Sequence, residues 1–161
     1  MVKIRTTPEE FQVEEQPPLP GLIIKDDINL PFAVFELTKT GWETQALISA
    51  ISKRIGIPVS SWGISGLKDK RSVTSQLVTI SRNHAPKNKV HGSGWTMTPF
   101  GGADRPLKSG DHRGNRFTIT VRDILHRDVQ LLPSRIAQVK SVGIPNWFDS
   151  QRFGSASEGL L

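Results

Sequence analysis

Hydrophobic and polar residues alternate along several short segments of the chain, and this period of two is typical of half-buried β-strands. Between residues 31 and 39, for example, the apolar residues Ala33, Phe35 and Leu37 occupy every second position. The same kind of pattern predicts strands over residues 2–5, 11–14, 31–39, 73–80 and 116–122. A weaker strand is predicted around residues 95–99.

One stretch has the spacing of an amphipathic helix instead. Thr40 and Glu43 match a capping box, in which an N-cap hydroxyl and a carboxylate three residues later satisfy the first free backbone N–H groups. Gly56 followed by Pro58 is a typical stop signal. The sequence therefore predicts a helix capped by Thr40 that ends before Gly56. Its apolar positions, which we expect in the core, are Leu47, Ile48, Ile51 and Ile55.

A second helical pattern covers residues 128–142, with Gly143 as its stop signal. Because proline is tolerated only in the first turn of a helix, we expect this helix to begin near Pro133. Residues 81–115 are the least regular part of the chain. They are predicted to form a long polar loop whose cations, Lys87 and Lys89 among them, are candidate contacts to a polyanionic partner. The order strand, helix, strand, strand, strand, helix predicts an α+β domain with a mainly antiparallel sheet and flanking helices.

Composition narrows the class of protein. The 161 residues suit one domain, and the net charge of +6 with a sequence pI near 10.0 indicates a polyanionic partner. The absence of cysteine excludes disulfides and thiolate metal sites, and the four histidines have no metal-ligand spacing, so we predict no metal site. No apolar run approaches the ~18 residues of a membrane span. A soluble cytoplasmic protein is expected.

The segment that carries candidate chemistry runs from Gly66 to Gln76 and reads GLKDKRSVTSQ. Its one carboxylate, Asp69, stands among Lys68, Lys70 and Arg71, and nearby positive charge favours the anionic form of an acid. An ionised carboxylate on a short turn is suited to be a nucleophile, while the cations suit a phosphate backbone. From these residues alone, a solvated charged turn between two strands is the more common explanation.

This segment resembles the nucleophile motif of the TruD family of tRNA pseudouridine synthases. Three further blocks are similar to the same family in the same order: Thr7–Glu15 to its PEDFxVxE block, Gly110–Phe117 to its GNxF block, and Gly143–Gly154 to its GVPNYFxxQRFG block. The four blocks extend over nearly the whole chain. The resemblance implies a pseudouridine-synthase-like α+β fold with the active site in a cleft across the sheet.

The resemblance also implies roles for single residues. Asp69 matches the nucleophile, and Arg5 stands where the family usually has a lysine that pairs with that carboxylate. Phe11 matches a phenylalanine that contacts uracil, and Asn115 matches a substrate-binding asparagine whose amide can pair with the edge of the base. Phe117 is a further candidate substrate contact. Each residue also has a purely structural alternative. Arg5 would be an exposed strand cation, Phe11 and Phe117 would be core aromatics, and Asn115 would be a turn residue.

Other residues of the four blocks have less specific roles. Glu10 replaces the usual aspartate of the PEDF block, which we treat as a mild change. Lys68, Lys70 and Arg71 are predicted to contact the phosphates of the substrate. Gln151, Arg152 and Phe153 are expected to brace the floor of the active site, with no separate role for each.

The family acts on uridine 13 of tRNA and needs no cofactor, so the resemblance implies an enzyme that isomerises this uridine to pseudouridine. Because family members continue well past the fourth block, residues 1–161 are expected to be the N-terminal part of a catalytic domain, without the C-terminal half and the inserted domain. The missing half would then be a partner, and the chain by itself would be inactive. The alternative is a non-catalytic RNA-binding fragment or relic of such an enzyme.

Overall fold

The computed structural model describes residues 2–18, 20–25 and 29–145. The chain divides into two compact units, residues 1–122 and residues 123–161. The described residues of the first unit form ten strands and one α-helix. In chain order these are β1 (Lys3–Ile4), β2 (Phe11–Pro18), β3 (Ile23–Lys25), β4 (Phe32–Thr40), α1 (Thr44–Ile55), β5 (Trp62–Ile64), β6 (Val73–Ser81), β7 (Val90–Gly92), β8 (Trp95–Ala103), β9 (His112–Ile119) and β10 (Val121–Arg122). The second unit contains α2 (His126–Val142).

Eight of the strands form one sheet in the order β3-β8-β4-β6-β2-β9, with β5 paired to β6 and β7 paired to β8. Every pairing in this sheet is antiparallel except the one between β2 and β6. Strands β1 and β10 form a separate antiparallel ladder. The prediction of an α+β fold with a mainly antiparallel sheet is therefore confirmed.

Helix α1 covers one face of the sheet. Because successive side chains of a strand point to opposite faces, Phe35 and Leu37 of β4 pack with Leu47 and Ile51 of α1 in the main core cluster. Val34 belongs to a smaller cluster with different partners, as expected for the opposite face. The predicted apolar stripe of α1 lies in the core: Leu47, Ile48 and Ile51 are buried, and Ile55 packs against the cluster.

The register of the neighbouring strands extends the face covered by α1 to the edge of the sheet. Val13 of β2 is the partner of Thr74 on β6 and of Phe117 on β9, while Glu15 is the partner of Asn115. Directly paired residues share a face of the sheet. The side chains of Val13 and Glu15 on β2, and of Phe117 and Asn115 on β9, therefore lie on the same side of the sheet as α1. The candidate site is built on this face.

The predicted start of α1 is wrong. Its N-cap is Glu43, whose carboxylate accepts hydrogen bonds from the backbone N–H groups of Gln45 (3.0 Å) and Ala46 (2.8 Å). These two bonds lower the pKa of Glu43. Thr40 remains in β4, where its N–H donates to the carbonyl of Gly94, and Gly41 at φ 75° turns the chain before the helix. Sheet pairing therefore prevails over a local capping pattern.

The expected long loop at residues 81–115 contains a complete interior strand. Strand β8 runs over nine residues between β3 and β4, whereas only residues 95–99 were predicted as a weak strand. Pro99 and the pair Gly101-Gly102 have the composition of a turn, but an irregularity of the β4–β8 ladder next to Val34 accommodates them. Strand β9 also begins earlier than predicted, at His112.

In the second unit, α2 begins at His126 and contains Pro133 in its interior, so the predicted start near Pro133 is wrong. Its apolar residues are partly exposed, with values between 42% and 52% for Val129, Leu132, Ile136 and Val139. In the described parts of the chain, neither helix combines the length and the apolar character that crossing a membrane requires.

Candidate active site

Asp69 lies in the loop that connects β5 to β6, and 63% of its side chain is exposed. Its Oδ2 lies 3.4 Å from Nη2 of Arg5. The two residues open into a cleft of about 210 Å³. The structure thus brings together six of the predicted site residues in one cleft, together with Val13 and Leu67: Arg5, Phe11, Lys68, Asp69, Asn115 and Phe117.

Arg5 connects the carboxylate to the aromatic part of the cleft. Its guanidinium carbon lies 3.7 Å from the centroid of the Phe11 ring, which is a cation–π contact, while Nη2 faces Asp69. Arg5 has φ 59°, a left-handed conformation that costs a non-glycine residue on the order of 1 kcal/mol. An ion pair this exposed adds little stability, so the arrangement orients Asp69 more than it stabilises the fold.

The turn after Arg5 is held by Glu10, the residue that replaces the aspartate of the family block. The Glu10 carboxylate accepts a hydrogen bond from the backbone N–H of Thr6 (2.8 Å) and another from the Arg122 guanidinium. The bond from Arg122 is the main cause of a lowered pKa of Glu10. The Glu10 carboxylate therefore ties the Arg5 turn to strand β10.

Phe11 and Phe117 meet edge to face, with ring centroids 6.0 Å apart and planes at 64°. Phe11 is 7% exposed, and Arg5 lies over its ring. Phe117, in contrast, is 55% exposed, and Asn115 is exposed two residues before it on the same side of β9. The open aromatic surface of the cleft is therefore that of Phe117.

Lys68 does not share the exposure of its neighbours. Its Nζ lies 2.5 Å from Oε2 of Glu15, and the two side chains are 5% and 1% exposed. The second carboxylate oxygen of Glu15 accepts a hydrogen bond from the Ser65 hydroxyl at 2.6 Å. This burial counts against Lys68 as a phosphate contact, whereas Lys70 and Arg71 are exposed. Glu15 itself was missed, although it is the last residue of the PEDFxVxE block.

Buried polar side chains also fix the backbone of the loop. Lys39 donates to the carbonyls of Lys68 (3.2 Å) and Asp69 (2.9 Å), and Ser72 Oγ donates to the same Asp69 carbonyl (2.9 Å). Thr44 Oγ1 accepts from the Lys68 N–H (3.0 Å) and donates to the Lys68 carbonyl (3.2 Å). None of these three side chains was predicted from the sequence to take part in the site. The alternation Ala33, Phe35, Leu37 already points Lys39 inward and could have identified it.

The segment that precedes β9 supports the start of the same loop. The carbonyl of Ser65 accepts from the Gly110 N–H (2.9 Å) and from Nδ1 of His112 (3.0 Å). An ion pair between Arg105 and Asp111 closes the turn, and the Arg105 guanidinium lowers the pKa of Asp111 to about 2. The loop that carries Asp69 is thus held from α1, from β4 and from this turn.

Of the block Gly143–Gly154, only residues 143–145 belong to the described residues, so Gln151, Arg152 and Phe153 lie outside them. In the described ranges there is no group of three or more histidine, aspartate or glutamate side chains arranged to hold a metal ion.

Comparison with known proteins agrees with the resemblance of the four blocks. A family described as "tRNA pseudouridine synthase D (TruD)" matches residues 1–158. A protein of Pyrococcus abyssi, named a probable tRNA pseudouridine synthase D, is 37% identical over 156 residues, which are 94% of this chain and 36% of that protein. The tRNA pseudouridine synthase D of Legionella pneumophila is 32% identical over 160 residues, or 96% of this chain and 44% of that protein.

The fold is also similar to a crystal structure of the Methanosarcina mazei protein assigned as tRNA pseudouridine synthase D (TruD). The TM-score is 0.81 at 28% identity, and the match covers 95% of this chain and 35% of that one. This chain belongs to the TruD family of tRNA pseudouridine synthases. It spans only about a third of the length of the archaeal relatives.

Proposed function

We propose that the complete gene product containing this chain isomerises uridine 13 of tRNA to pseudouridine, with Asp69 as the nucleophile. We further infer that residues 1–161 are the N-terminal part of its catalytic domain. The observation that carries the proposal is the exposed Asp69 carboxylate, which a cation orients beside an open aromatic ring on a loop whose backbone is held by buried side chains. A solvated turn would not need these contacts.

Pseudouridine formation is an isomerisation and needs no redox partner. The bond between N1 and C1′ breaks, the base turns, and a bond between C5 and C1′ forms, while C5 loses a proton and N1 gains one. A carboxylate that attacks a carbon of the base or of the sugar divides this reaction into two easier steps. In this chemistry Asp69 supplies the carboxylate, and the ion pair with Arg5 orients it.

The cleft also offers suitable groups for an extruded uracil. Phe117 presents an open ring on which a base can stack, and the amide of Asn115 can both donate to and accept from the edge of uracil. Phe11, covered by Arg5, supports Phe117 from the side rather than facing the base. Lys70 and Arg71, exposed next to Asp69, are placed to contact the adjoining phosphates.

Pseudouridine mapping on an unmodified tRNA tests the proposal. The complete gene product is expected to convert uridine 13, and a tRNA with cytidine at that position should gain no pseudouridine. Conversion of a different uridine instead would refute uridine 13 as the modified position. Binding of tRNA without any conversion would favour the alternative of a non-catalytic RNA-binding protein.

Binding of tRNA is expected to weaken steeply with salt, because phosphate contacts release counterions. Each neutralised phosphate contributes about 0.7 to 0.9 to the slope of log affinity against log salt concentration. Changing Lys70 and Arg71 to glutamine should reduce this slope by roughly 1.4 to 1.8, which a filter-binding or anisotropy titration measures. The same change at the loop residues Lys87 and Lys89 tests the predicted contacts of that loop. If neither double substitution changes the slope, both pairs of cations are excluded as phosphate contacts.

A further inference from the structure

Lys39 is the last inward-facing residue of β4, and it is 1% exposed. Its ammonium has three N–H groups and makes three hydrogen bonds to backbone carbonyls, those of Trp42 (2.8 Å), Lys68 (3.2 Å) and Asp69 (2.9 Å). All the donors of the side chain are therefore used on neutral acceptors.

Two of these carbonyls belong to the two peptide units that flank the α-carbon of Asp69. The Lys68 carbonyl lies in the peptide before this carbon and the Asp69 carbonyl in the peptide after it. Because each peptide unit is planar, one cation bonded to both restricts the two backbone dihedrals of Asp69. The carboxylate itself remains 63% exposed, so the backbone is fixed while the reactive group faces the cleft.

The surroundings of Lys39 give no reason to expect that its buried charge stabilises the fold. Within the described ranges, no carboxylate forms an ion pair with it. The charged groups that act on it are Glu43, Asp69 and Lys68, and its partners across the sheet, Thr74 and Trp95, are uncharged. Burying a cation without a counter-ion costs free energy that an apolar side chain of similar length would avoid.

We propose that Lys39 is a positioning residue that sets the direction of the Asp69 carboxylate by bonding both of its flanking peptides. This inference rests on the proposed role of Asp69 as nucleophile. A carboxylate displaced by about 1 Å loses on the order of 10²-fold in rate, which gives the scale of the expected effect.

The inference also predicts a pH dependence. Burial lowers the pKa of Lys39 to about 8. Below this pH the ammonium donates to all three carbonyls, and above it the neutral amine has one donor fewer and turns a lone pair toward a carbonyl. The turnover rate should therefore fall as the pH rises through about 8.

The test compares Lys39→Met with Lys53→Met, an exposed lysine of α1, in the complete gene product. For Lys39→Met we expect kcat to fall about 10²-fold, the decline near pH 8 to disappear, and the Kd for tRNA and the melting temperature to show no loss. Lys53→Met should match the unaltered protein. A kcat of Lys39→Met within threefold of the unaltered enzyme, or an unchanged decline near pH 8, would overturn the inference.

Two further measurements cover the cases in which Lys39→Met does not fold or the proposed nucleophile is wrong. If Lys39→Met does not fold, NMR titration of the unaltered chain decides: the amide resonances of Asp69 and Lys70 should shift together with the Lys39 side chain near pH 8, and no such step would refute the inference. If Asp69→Asn retains turnover, the proposed nucleophile is wrong and the positioning role falls with it. If Asp69→Asn is inactive while Lys39→Met is fully active, only the positioning role is wrong.

Discussion

Replacing Asp69 by asparagine is expected to abolish pseudouridine formation while tRNA binding persists. The amide has nearly the shape of the carboxylate but no charge, so it cannot act as the anionic nucleophile. Because 63% of the side chain is exposed and the loop is held through its backbone, the fold should not depend on this carboxylate. We expect turnover to fall by at least about 10³-fold, with the Kd for tRNA within a few-fold of the unaltered value.

The matched control for this change is Asp104→Asn, which neutralises an exposed aspartate that the proposal gives no role. Pseudouridine mapping and a binding titration, made side by side on the complete gene products, separate catalysis from affinity. Conversion by the Asp69 variant at close to the unaltered rate would remove this residue from the nucleophile role. An equal loss in both variants would attribute the effect to charge alone.

The second large effect is expected on stability. Glu15→Gln removes the counter-ion of Lys68 and leaves an ammonium that is 5% exposed without a compensating charge. Breaking a buried ion pair in this way costs about 3 to 5 kcal/mol of unfolding free energy. Urea denaturation followed by tryptophan fluorescence should show this loss as a lower midpoint. Adding Lys68→Met to the Glu15→Gln variant should recover most of it, because the buried charge is then gone as well.

Glu14→Gln is the control, since Glu14 is the neighbouring residue on the opposite face of β2. Its ion pair with Arg116 is long, at 3.6 Å, and both side chains are more than half exposed. Such a pair contributes about 0 to 1 kcal/mol. Similar losses for Glu14→Gln and Glu15→Gln, or no recovery in the double variant, would contradict the assignment of the buried pair as the source of the effect.

Much of the fold follows from local pattern. The alternation in residues 31–39 and 73–80 predicted the two strands at the centre of the sheet, and the stripe of Leu47, Ile48 and Ile51 predicted the buried face of α1. Strand β8 was predicted only as a weak strand around residues 95–99, because Pro99 and two glycines have the composition of a turn. Its neighbours on both sides supply the hydrogen bonds that keep these residues in the sheet, and pairing of that kind is not encoded in a local window.

The sequence by itself determined the family, the α+β class and the group of residues around Asp69. These properties depend on short motifs and on the period of apolar positions. Only the tertiary structure decided which of the adjacent charged side chains are buried and which are exposed. In the run Lys68, Asp69, Lys70 the first side chain is buried against Glu15 and the other two are exposed. The direction of each side chain is set by backbone dihedrals, and contacts from β2, β4 and α1 fix those dihedrals across separations of 24 to 53 residues.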